Sequence, residues 1–164
     1  MRRFLLFSLV LVGILGSDVS AQACGPLTVS TAANGAGCTP FGGTLPALSA
    51  ALGPVSPSGC VLTFTVAAGP SPVPLPILNL GLLAIGVNDP MLNLAPFLTG
   101  CTLRADLDVL LVMGGAGPSY SVPVTVPPDP AFLGATVYTQ AGVALLPLIG
   151  AVNIRLSNGL TVSF

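Results

Sequence analysis

Cys60-Val61-Leu62-Thr63-Phe64-Thr65-Val66 is the stretch that decides the fold class. Cys60, Leu62, Phe64 and Val66 are apolar and alternate with the polar Thr63 and Thr65, the period-two pattern of a strand with one face in a core. Tyr120, Val122, Val124 and Val126 repeat the pattern. Residues 102–109 read as a third strand, with Leu103, Ala105, Leu107 and Val109 on one side and Thr102, Arg104, Asp106 and Asp108 on the other. Helical signals are nearly absent, because 17 Pro and 20 Gly interrupt the chain too often for long helices.

The last strands are expected at 152–156 and 160–164, joined through Ser157-Asn158-Gly159, since Asn-Gly accepts the positive φ angles of a tight hairpin. Two leucine-rich stretches, 75–87 and 141–154, are too short to cross a membrane as helices and contain Pro76, Gly81 and Pro147. They read as strands buried on both faces. The alternating Pro70, Pro72, Pro74 and Pro76 suit a loop or edge rather than a central strand. Residues 127–134 read as one helical turn before a strand at 135–140, with Asp129 capping the turn. Strands at roughly ten-residue spacing predict an all-β fold, an antiparallel β-sandwich or jelly roll, as one domain.

The N-terminus has the order of a signal peptide: Met1-Arg2-Arg3, an apolar run from Phe4 to Gly16, then small and polar residues to Ala23. Thirteen apolar residues reach about 20 Å as a helix, short of a bilayer. A signal over residues 1–21 is expected, with cleavage after Ala21 or Ala23 and a domain from residue 22 to 164. Beyond it the charged side chains are Arg104 and Arg155 against Asp89, Asp106, Asp108 and Asp129, with no Lys, Glu or His anywhere. Two cations cannot neutralise a run of phosphates, so nucleic acid is excluded as a partner, as is an anionic membrane surface. So few charges also give little mutual repulsion, and self-association is expected.

The four cysteines (Cys24, Cys38, Cys60, Cys101) read as two disulfides in an oxidising compartment. Their spacing contains no close pair and no His accompanies them, so no metal or cofactor is expected. Spacing alone leaves all three pairings open.

Several segments resemble a domain of unknown function that recurs in secreted proteins of planctomycetes and related bacteria. They are Gly35-Ala-Gly-Cys38, Met91-Leu-Asn-Leu94, Thr99-Gly-Cys-Thr-Leu103, Val126-Pro-Pro-Asp-Pro-Ala-Phe-Leu-Gly134 with Tyr138 and Gln140, and Leu156-Ser-Asn-Gly-Leu160. The resemblance covers residues 35–164 and implies a secreted β-domain with no established activity. Members of that family often carry Asp where Asn93 stands, and Cys24 and Cys60 are additions to its pattern. Cys38 and Cys101 match its two cysteines, which implies a Cys38–Cys101 bond and leaves Cys24 for Cys60.

Without His or Lys, Ser-His-Asp and Ser-Lys catalysis are excluded. Gly114-Gly-Ala-Gly117 lacks the Gly-Lys-Ser/Thr of a phosphate loop and reads as a turn. Asp106 and Asp108, about 6.6 Å apart on one strand face, are the best remaining pair for acid–base or ligand work. Their more ordinary reading is a solvated face with Arg104 beside Asp106. Tyr138 and Gln140 complete the candidate ligand-binding set, as a half-buried pair with polar tips. The expected function is a non-enzymatic, secreted structural or interaction module at or outside the cell surface. A carbohydrate- or small-ligand-binding domain is the alternative, and an Asp-dependent glycosidase a third.

Overall fold

Period-two alternation becomes two facing antiparallel sheets in the computed structural model, which describes residues 20–24, 27–56, 59–70, 76–115, 117–147 and 152–164. The strands are β1 (Ser20–Cys24), β2 (Leu27–Asn34), β3 (Ala47–Ser56), β4 (Gly59–Ala67), β5 (Pro76–Gly86), β6 (Leu92–Asn93), β7 (Thr102–Leu103), β8 (Val109–Met113), β9 (Ser119–Val126), β10 (Thr136–Pro147) and β11 (Asn153–Ser163). One sheet has the order β1-β2-β11-β10-β5-β8, the other β3-β4-β9, and β6 and β7 form a short ribbon. The fold is all-β, with the two larger sheets packed as a sandwich. The signal-like residues 1–19 and most of the proline run, 71–75, lie outside the described residues.

The core lies between the sheets. Leu48, Leu62, Phe64, Val66, Tyr120 and Val126 of the smaller sheet meet Val29, Leu83, Met113, Val143, Leu145, Leu160 and Val162 of the larger. Phe64 is 2 % exposed and Val66 fully buried, and burial at this level stabilises by about 1.5–3 kcal/mol per large apolar side chain. Both disulfides brace this arrangement with the pairing that the resemblance implied. Cys24–Cys60 ties β1 of the larger sheet to β4 of the smaller, with Cα atoms 5.6 Å apart. Cys38–Cys101, with Cα atoms 5.3 Å apart, ties the chain after β2 to the chain before β7. Asp129 caps a 3-10 turn at Pro130–Phe132, its Oδ1 accepting from Ala131 N at 2.9 Å. Between β8 and β9, Gly114 and Ser121 exchange backbone hydrogen bonds of 2.8 and 2.7 Å.

Three strand expectations need correction. Asn158-Gly159 is no hairpin, because β11 runs unbroken through it. A bulge there sets Gln140 opposite Gly159 but Gly142 opposite Leu156, so β11 carries one extra residue. The Asn158 side chain crosses to the other sheet, Oδ1 accepting from Leu48 N at 2.8 Å and Nδ2 donating to Leu48 O at 3.3 Å. Those are the backbone groups on the open side of edge strand β3, so the amide stands where a neighbouring strand would. Gly159 is required by a close approach, since a Cβ there would lie 2.7 Å from Asn34 O.

The second correction concerns residues 102–109, which form only the ends of two strands, β7 and β8, with irregular chain between. The third concerns the leucine-rich stretches. Residues 141–154 divide between β10 and β11, and β5 is buried on both faces only toward its end, where Ala84 is 6 % exposed, while Leu78 on the outer face is 50 % exposed.

Candidate functional site

Gln140 is the candidate residue whose role is plainest. It is 2 % exposed, its Oε1 accepting from Arg104 N at 2.9 Å and its Nε2 donating to Thr102 O at 3.1 Å and Ser157 O at 2.9 Å. With those contacts made, Gln140 is a strut between β10, β11 and the 102–104 chain. Asp106 accepts from Asn88 Nδ2 at 2.8 Å, and Asp108 from Val87 N at 3.1 Å. Because 104–108 is irregular, the two aspartates do not share a strand face, and each latches that segment to the end of β5. Tyr138 is half-buried on β10. Gln140 alone of the four lines the apolar cleft described below.

Arg104 pairs with Asp89, not Asp106, Nη1 to Oδ2 at 3.2 Å. Burial pushes the Asp89 pKa upward, but hydrogen bonds from Asn34 and Met91 N and the Arg104 guanidinium outweigh it, and the carboxyl lies below its ordinary value. Asn93, where the resembling family often has Asp, accepts from Ala95 N at 2.9 Å in a local turn.

Two features outside the candidate set stand out. The first is the outer face of the larger sheet. Leu82 and Ala84 of β5, Leu110 of β8, Gly142 and Ala144 of β10, and Ile154 and Leu156 of β11 line a shallow apolar cleft of about 170 Å³ there, with Leu103 and Leu107 at its rim. Leu110 and Val112 are 55 % and 65 % exposed. The outer face of the smaller sheet is more polar, with Ser49, Thr63, Thr65, Ser121 and Thr125 beside Val61, Pro123 and small alanines.

The second is the end of the sandwich near Gly69 and Gly117, where Asn79, Leu145 and Arg155 line a cavity of about 430 Å³. Arg155 is 1 % exposed. Its Nη1 donates to Ala68 O at 2.9 Å and to Thr44 O at 3.3 Å, fastening the chain flanking β3 and β4 to the larger sheet. Sequence reasoning missed this residue, though a signal exists: Asn153, Arg155 and Ser157 alternate with Ile154 and Leu156, so one face of the strand is wholly polar.

No protein-family model, curated protein or solved structure matches the chain. Fold and chemistry therefore define the class by themselves, an all-β sandwich braced by two disulfides. Among the described residues no helix is long and apolar enough to cross a membrane.

Proposed function

We propose that the protein is an exported, non-enzymatic module that works by contact, packing the leucine-rich outer face of its larger sheet against a second copy of itself. The observation carrying this reading is the contrast between the two outer faces: chiefly serine, threonine and alanine with Val61 and Pro123 on the smaller sheet, leucine, valine and isoleucine on the larger. A face meant only for water would resemble the first. Export is supported by the basic, apolar, small order of the N-terminus and by two disulfides, which form and persist in oxidising compartments. The resemblance to secreted planctomycete domains points the same way.

A second copy fits the patch better than a charged partner does. The patch contains no charged side chain, and the chain beyond residue 21 has six in all. Four strands about 5 Å apart, each contributing roughly six residues of about 3.3 Å, give an area on the order of 300 Å². That is the size of the functional patches found on monomers. It falls below the roughly 800 Å² per partner of a tight complex, so the association is weak and reversible.

Sedimentation velocity over a concentration series tests this. The wild type is expected to shift toward dimer as concentration rises, and Leu110→Lys with Val112→Lys to stay monomeric. A wild type that stays monomeric at millimolar concentration and across salt rejects the reading. N-terminal sequencing of the exported protein is expected to begin at Gln22 or Cys24.

A further inference from the structure

Arg155 is a buried cation that no carboxylate meets among the described residues. Asp89 is paired with Arg104, Asp106 and Asp108 hold Asn88 and Val87, and Asp129 caps its turn. Among the described residues no salt bridge reaches Arg155, and its Nε has no hydrogen-bond partner. Burial lowers the Arg155 pKa from its ordinary value, opposed by the nearby Tyr120, yet a guanidinium keeps its charge in proteins. Such a charge is costly unless something negative meets it.

The atoms around it are unsatisfied too. Asn79 Oδ1, Asn153 Oδ1 and the Tyr120 hydroxyl are buried and lack partners. Strand register gathers them: Asn79, Leu145 and Asn153 stand in one row across β5, β10 and β11, and Gly81, Val143 and Arg155 in the next row of the same face. Gly81 makes room for Tyr120, whose ring atoms lie 2.9 Å from where a Cβ would be. The cavity at these rows is lined by the Arg155 cation and by Asn79, whose amide oxygen can only accept, with Pro70, Pro118 and Leu145 as apolar walls; Asn153 and Tyr120 neighbour these residues without lining it.

We infer that this cavity is a binding site for a small hydroxylated carboxylate, its carboxylate meeting Arg155 and its hydroxyl donating to the orphaned amide oxygen of Asn79. Both halves of the ligand follow from chemistry. Guanidinium pairs best with a planar carboxylate, because parallel N–H groups match its two oxygens. An acceptor-only amide oxygen calls for a donor, which a simple fatty acid lacks. The site lies inside the sandwich end and is independent of the outer-face contact, so either can fail alone.

The test is calorimetry and thermal unfolding of the purified protein with lactate, propionate and lactamide at constant ionic strength. Lactate is expected to bind and to raise the melting temperature in a concentration-dependent way, propionate to bind more weakly and lactamide not at all. Arg155→Gln is expected to weaken lactate about ten- to a hundredfold, the loss of one charge-assisted pair. Asn153→Asp places a carboxylate on the same strand face two residues from the guanidinium, and it is expected to raise the melting temperature and abolish the lactate response. No response to lactate, an equal response to lactamide or propionate, or a full response in Asn153→Asp overturns the inference, even if Arg155→Gln fails to fold.

Discussion

Asn158→Ala should be among the most damaging polar substitutions in the chain, and its size can be worked from the structure. The change removes the acceptor for Leu48 N at 2.8 Å and the donor to Leu48 O at 3.3 Å, both partly buried. Each hydrogen bond contributes about 1 kcal/mol net, and leaving partly buried backbone groups unpaired adds to that, giving a loss of about 2–3 kcal/mol. For a domain of about 140 residues the unfolding entropy near the midpoint is roughly 0.3 kcal/mol per degree, so the melting temperature should fall by about 7–10 °C. Guanidinium titration and thermal melting of the oxidised protein, each followed by circular dichroism, measure the two. An exposed turn residue would give a change within about 0.5 kcal/mol. A loss that small would refute the cross-sheet role of Asn158 and restore the hairpin.

Cys38→Ala removes a bridge between residues 63 apart, for which the chain-entropy argument gives about 4 kcal/mol. Its melting temperature should fall by more than 10 °C, well beyond Asp106→Asn under the same conditions, and a smaller effect than that of Asp106→Asn would contradict the brace. The Asp89 carboxyl, depressed below its ordinary value, gives stability that is present above the unfolded-state pKa of about 3.9 and lost as pH falls through the folded value. Melting measured from pH 5 down to pH 2 should therefore drop less in Asp89→Asn than in the wild type, and equal slopes would remove Asp89 from the acid transition.

The sandwich was legible where alternation coincides with burial on one side only. In β4 and β9 the large apolar side chains are mostly inner and the outer face is chiefly serine and threonine, with Val61 and Pro123 the exceptions, so period and chemistry largely agree. The same rule misleads in β11. There Ile154 and Leu156 face outward and Asn153 and Arg155 inward, because at this end of β11 the inner face borders a polar cavity and the outer face lines the apolar cleft. Reading apolar as inward hides Arg155.

Asn158-Gly159 was misread for a different reason. Its partner Leu48 is 110 residues away, and no local propensity carries that information. The Asp106 and Asp108 pair dissolved because the 104–108 chain is held by Gln140, Asn88 and Val87 rather than by a ladder. The capping role of Asp129 involves only near neighbours, and there sequence sufficed.

Methyl-resolved NMR of the protein at rising concentration tests the outer-face contact most directly, because it reads each leucine, valine and isoleucine separately. Outer-face assembly predicts shifts that grow with concentration at Leu82, Leu110, Val112, Ile154 and Leu156, while the inner-face Leu83, Val143 and Val162 stay fixed. Concentration-independent spectra, or shifts confined to the smaller sheet, would contradict it.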